Sequence, residues 1–163
     1  MVSSLAVNPS PRPVMLAGIV ATCAVAFLLV GTGMARAQSL PVIRLSAGMH
    51  VIRAEVAATV EARSRGLMFR ESLEPNQGMV FVFDEAAAHC MWMRNTLIPL
   101  AVAFLDGQGR IINVEEMQPQ TEDNHCAAQP ARYALEMNSG WFRQRGIGTG
   151  TEIRGIVRDD AAR

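Results

Sequence analysis

Hydrophobic and polar positions along this chain fall into short runs, most with the two-residue period of a strand. From Val51 to Thr59, Ile52, Ala54, Val56 and Ala58 alternate with Val51, Arg53, Glu55 and Ala57, which predicts a strand with one solvated side. A short helix follows. Thr59 can cap it, Glu61 stands in the first turn where the helix dipole favours a carboxylate, and Gly66 can end it in a left-handed conformation. Glu61 and Arg65, four apart, add a weak supporting pair.

Beyond a loop through Pro75, Asn76 and Gly78, the run Met79–Phe83 is apolar on both faces, the mark of a central strand. Asp84–Ala88 then reads as a connection and His89–Arg94 as a strand that Pro99 separates from the next. Leu100–Leu105 and Arg110–Met117 flank Asp106-Gly107-Gln108-Gly109, whose glycines supply the positive φ a hairpin needs. Gln118–Pro130 is polar and predicts a long surface loop. Arg132–Asn138 is a strand with Tyr133, Leu135 and Met137 on one face. Ser139 can cap one helical turn through Trp141 and Phe142, stopped by Gly146, and Thr151–Val157 is the last strand. The expected fold is mainly β: one compact antiparallel barrel or sandwich of about seven short strands with two short helices.

The N-terminal part has a different pattern. Arg12 is the only charge before an apolar run from Val14 to Val30, and Ala35-Arg36-Ala37 supplies the small residues a signal peptidase reads. This predicts a secretory signal over residues 1–37, cleaved after Ala37. The run also reaches the lower limit of about 17 residues for an uncleaved anchor, but the Ala-x-Ala site favours cleavage. A lead-in over 38–50, a β-rich domain over 51–158 and a disordered tail over 159–163 complete the expected organisation. The product is expected in the periplasm or secreted, touching a membrane only through its signal.

Charge removes several function classes. The sequence has 163 residues with 15 basic residues, all arginine, and 15 acidic ones. Without Arg12 and Arg36, 13 arginines face 15 acidic residues, a formal charge of −2. Such a surface offers no electrostatic grip on nucleic acid, and a chain without lysine has neither Schiff-base chemistry nor a P-loop lysine. Two cysteines, Cys90 and Cys126, lie beyond the signal. In an oxidising compartment they permit one disulfide, worth about 3–4 kcal/mol through chain entropy; a free thiol or a metal ligand are the other readings, because spacing alone does not bring two Cα atoms within bonding range.

The densest chemistry is in Cys90-Met91-Trp92-Met93-Arg94-Asn95-Thr96-Leu97-Ile98-Pro99-Leu100. Together with Glu61–Arg70, Gly78–Phe83 and Leu135-Glu136-Met137-Asn138-Ser139-Gly140, it resembles the domain-of-unknown-function 192 family. The resemblance runs from about Ile52 to Ile153 with four motifs in order. It implies a compact β-rich domain, often exported, with no established activity; no cofactor is expected. The family pattern usually places Asp after Pro-Leu, where this chain has Ala101, so any chemistry that needs this carboxylate is missing here.

No Gly-x-Ser-x-Gly, His-Glu-x-x-His or Cys-x-x-Cys is present, and His89 beside Cys90 on a strand would point to the opposite face. His89, Met91 and Met93 would share a strand face and suit Cu(I), although methionine is also a common core filler and the chain has ten. The favoured reading is non-catalytic binding of a small ligand, anions included, or of a partner protein, with an unrecognised enzyme as an alternative. Its candidate residues are Arg63, Arg70, Trp92, Arg94, Asn95 and Glu136, since arginine forks take carboxylates or phosphates and an indole offers a stacking face. Glu136, inside an apolar strand, is expected to need a cation, with Arg63 or Arg94 as its partner. An internal ion-pair network holding loops to the fold explains the same residues without a ligand.

Overall fold

The computed structural model describes residues 39–156; the expected signal segment and C-terminal tail lie outside them. Nine strands and two helices follow in the order β1 (Val42–Ala47), β2 (His50–Ala57), α1 (Val60–Arg65), β3 (Gln77–Ala87), β4 (Cys90–Met91), β5 (Leu100–Leu105), β6 (Ile111–Met117), β7 (His125–Cys126), β8 (Ala131–Asn138), α2 (Trp141–Gln144) and β9 (Ile153–Arg154). Seven of the strands form one sheet in the order β6-β5-β8-β3-β2-β1-β9, while β4 and β7 make a separate two-stranded ribbon. The sheet is antiparallel except for β2 and β3, which run parallel and need the crossover that α1 supplies. It curls, and an antiparallel bridge between Arg110 and Glu152 joins the β6 edge to the β9 edge. Gly109 permits this closure. Its φ is +79°, and a Cβ there would come within 2.8 Å of the Ile153 carbonyl, which belongs to the segment the turn must touch.

Strand alternation sorts the apolar residues onto two faces. One carries Leu45, Ile52, Val80, Ala103, Tyr133, Leu135 and Met137, covered at one end by Trp141 and Phe142 of α2. The other carries Met79, Phe81, Val102, Phe104 and Ala134, covered by Leu67, Met93 and Ala127 from connecting segments. Strand β3 is the middle of the seven, which is why its residues are apolar on both sides. Gly78 lets β8 lie against it, because a Cβ there would collide with the Glu136 carbonyl and the Met137 sulfur.

The observed elements differ from the expected ones at five places, one being the last strand, expected over Thr151–Val157 but only Ile153–Arg154 among the described residues. β1 lies within the presumed lead-in, where Ile43, Leu45 and Ala47 turn inward and Val42 and Arg44 outward. β3 continues through the presumed connection to Ala87, but with its register to β8 broken between Val82 and Ala87. The strand expected over His89–Arg94 is only Cys90–Met91, because its pairing partner in the Gln118–Pro130 loop is just His125–Cys126. Ser139 does not cap α2: Gly140 is the N-cap, with φ +76°, and the Ser139 hydroxyl donates to Glu116 Oε2 at 2.6 Å instead. Thr59 does cap α1, its hydroxyl accepting from the Ala62 N–H at 3.2 Å.

Candidate functional site

The face of the sheet that carries Phe81 and Val102 has a cavity of about 500 Å³. Three segments enclose it: α1 with the Gly66–Met68 turn, the irregular part of β3 at Phe83–Glu85, and His89–Thr96. Each wall is held by identifiable bonds. The break in β3–β8 register leaves the Val82 carbonyl to a side chain, and Arg63 Nη1 donates to it at 2.8 Å and to the Ala58 carbonyl at 2.7 Å. The same guanidinium pairs with Asp84 at 2.7 Å, tying α1 to the irregular segment. Across the cavity, Cys90 and Cys126 face each other in the β4–β7 ribbon and are bonded. The backbone of this wall is fixed further by Met93 N–H to the Thr121 carbonyl and Gln120 N–H to the Thr96 carbonyl, each at 3.1 Å.

Two buried polar side chains line this space without a protein partner among the described residues. Glu136 on β8 stands between Met79 of β3 and Val102 of β5, is 4% exposed, and lines the cavity. Its carboxyl makes no hydrogen bond or ion pair with any described residue. Burial alone pushes it up to about 8, so it is protonated at neutral pH. Thr96, 5% exposed, lines the same cavity, and its hydroxyl is likewise without a protein partner among the described residues. Leu67, Phe81, Phe83, Met91 and Trp92 supply apolar wall. Trp92 is half-exposed at the rim, with the Arg94 guanidinium 4.4 Å from its ring centre. His89 stacks on Phe83 at 3.7 Å between ring centres.

Of the six candidates read from the sequence, Arg63, Trp92 and Glu136 line the cavity, while Arg70, Arg94 and Asn95 do not. Arg70 forms a two-pronged pair with Glu55 at 2.6 Å. Arg94 is paired at the surface with Glu122 at 2.9 Å; that hydrogen bond, then charge attraction, holds the Glu122 carboxyl below its ordinary range. Asn95 takes a left-handed conformation, φ +57°, and its carbonyl accepts the Phe69 N–H at 2.8 Å. The expected pairing of Glu136 with Arg63 or Arg94 does not occur. Arg63 is committed to Asp84 and two carbonyls, and the carboxyl needs no cation because it holds its proton.

The set His89, Met91 and Met93 is not brought onto one face either. β4 ends at Met91, so strand alternation stops, and Met93 is fully buried against the sheet while His89 and Met91 line the cavity. Among the described residues no group of three or more His, Cys, Asp or Glu side chains is placed to hold a metal ion. Sequence reasoning missed Thr96, Leu67, Phe81 and Phe83 as cavity residues. Their burial class was legible, but nothing local marks a core residue that borders a void.

Polar groups near Glu136 in sequence have structural duties that it lacks. Asn138 Nδ2 donates to the carbonyls of Leu73 and Glu74 at 3.0 and 3.2 Å, pinning the loop before β3. Ser139 and the Gly140 N–H both bind Glu116.

Solved structures similar in fold include two that are 32% identical. A protein from Sinorhizobium meliloti, described provisionally as a transcription regulator, is 32% identical with a TM-score of 0.66, covering 70% of this chain and 92% of its own. A protein of unknown function from Novosphingobium aromaticivorans is also 32% identical, with a TM-score of 0.70, covering 73% of this chain and 89% of its own. No curated protein matches. The family described as uncharacterised ACR, domain of unknown function 192, matches residues 42–155, from the first residue of β1 to just past β9. The chain therefore belongs to the domain-of-unknown-function 192 family.

Proposed function

We propose that this is an exported domain that binds a small, largely apolar molecule in the cavity above β8, without chemistry of its own. The observation that carries the reading is Glu136: a carboxyl 4% exposed, at a cavity of about 500 Å³, with no protein group to satisfy it. Leaving such a group unpaired costs about 1–3 kcal/mol, and a ligand that supplies the missing hydrogen bond recovers it. The volume lies within the range of about 300–1,000 Å³ usual for small-molecule sites, and the mixture of apolar walls with a few polar groups is their usual chemistry. The thiols are bonded to each other, so neither serves as a nucleophile in this state. Export is supported by the secretory pattern of residues 1–37 and by a disulfide, which suits an oxidising compartment.

An anion is less well served than the sequence suggests, since the Arg63 guanidinium is taken by Asp84 and backbone carbonyls. The test is a ligand-observed NMR screen of a fragment collection against the disulfide-bonded protein and against Ser64→Trp. Ser64 is exposed at the cavity rim, so a bulky side chain there blocks entry without disturbing the core. Fragments that bind the parent and are lost in the variant support the reading. Fragments bound equally by both, or none bound by either, refute it.

A further inference from the structure

Resting on that reading, we propose that the cavity takes a small molecule with an ammonium group on an apolar body, the ammonium meeting Glu136 and the body lying along Phe81 and Trp92. Among the residues lining the cavity, carboxylic acids outnumber arginines by one. From α1, Arg63 is neutralised by Asp84, and Arg65 and Glu85 of β3 both stand exposed at the rim. Strand β5 contributes only Val102 beside Glu136, and His89 is stacked on Phe83 before β4. On β8 itself, Arg132 lies four residues before Glu136 and is not among the residues that line the cavity. With Arg63 matched to Asp84 and Arg65 to Glu85 in charge, Glu136 is the acid left over.

An ammonium suits this setting for three reasons. It donates hydrogen bonds to the carboxylate and can donate one to the Thr96 hydroxyl, which satisfies both unpartnered groups. Aromatic faces attract a desolvated cation. A neutral donor could bond to Glu136, but only a cation compensates its charge when the proton leaves.

Binding then displaces the Glu136 proton to solvent. The protein–ligand pair is Glu136 carboxylate with ammonium, so no charge is created or lost in the cavity beyond the proton released. Because the carboxyl is held up to about 8, the ionised fraction rises about tenfold per pH unit below that value. Affinity for an ammonium therefore rises about tenfold per unit from pH 5.5 to 7.5 and levels off above about 8. Loss of the charge partner weakens binding by about 30-fold or more.

Three probes of one shape separate the possibilities: 3-phenylpropylamine, 3-phenylpropanol and 3-phenylpropanoate, titrated calorimetrically into the disulfide-bonded protein and into Glu136→Gln. Support is tightest binding by the amine, near one proton released per amine at pH 6.5 in buffers of differing ionisation enthalpy, and loss of that preference in Glu136→Gln. His89→Asn should keep the pH slope, which assigns it to Glu136. If the alcohol or the carboxylate binds better than the amine in the parent protein, the ligand class is overturned while the cavity reading stands. If Ser64→Trp leaves all three unaffected, or none of them binds, both fall.

Discussion

Replacing Glu136 by glutamine isolates the one buried carboxyl that is left without a partner among the described residues. In the unfolded chain this group titrates near its ordinary 4.5, whereas burial in the folded state pushes it up to about 8. Between those two values the folded protein holds a proton that the unfolded chain has already lost. Stability therefore falls as pH rises through this interval, by about 1.4 kcal/mol per pH unit, and the loss accumulates to about 5 kcal/mol by its upper end. Below 4.5 both states are protonated and the contribution is constant; above about 8 both are ionised and the loss is complete. Glutamine has nearly the shape of the protonated acid and does not titrate. The assay is guanidinium chloride unfolding of both proteins, disulfide intact, from pH 5 to 8.5, with the difference in unfolding free energy plotted against pH. Histidines and surface acids contribute equally to both proteins and cancel. The two should be nearly equal at pH 5, and the variant should be more stable by about 4 kcal/mol at pH 8.5. Curves that stay parallel would mean that Glu136 is solvated or paired in solution, and the argument from an unsatisfied carboxyl would fail with them.

The arginines of the sequence motifs should divide by what they hold. Arg63→Ala strips partners from the Val82 and Ala58 carbonyls and should cost about 1–3 kcal/mol in chemical denaturation, whereas Arg94→Ala, at the surface beside Glu122, should leave the midpoint unchanged; equal losses would contradict this division. Reducing the Cys90–Cys126 bond, which spans 36 residues, should lower stability by about 3–4 kcal/mol and loosen the Met91–Trp92 wall. Unfolding with and without reductant, together with amide exchange of the β4–β7 ribbon, measures both effects, and an unchanged midpoint would show that the ribbon is held by other bonds.

Much of the architecture follows from local pattern. The two-residue alternation of β2 and β8, the apolar run of β3, the Gly-rich turn before β6 and the Thr59 cap each express backbone or burial preferences that act within a few residues. The same locality explains the misses. β1 is short and has only three inward side chains, and the extent of β4 is set by how much of a distant loop pairs with it. The register break in β3 has no local cause in sequence either; it arises where β8 passes Val82–Ala87 with fewer residues, and Arg63 then fills the exposed carbonyl.

Sequence by itself determined the family, the mainly β fold, the central place of β3 and the set of residues with chemistry near one another along the chain. Tertiary structure decided which of those residues share a space. Charges attract over distances that sequence does not record, so Arg63, Arg70 and Arg94 were captured by Asp84, Glu55 and Glu122, acids from other segments. Glu136 was left alone because its neighbours across the sheet are Met79 and Val102, and register is a property of paired strands, not of either strand.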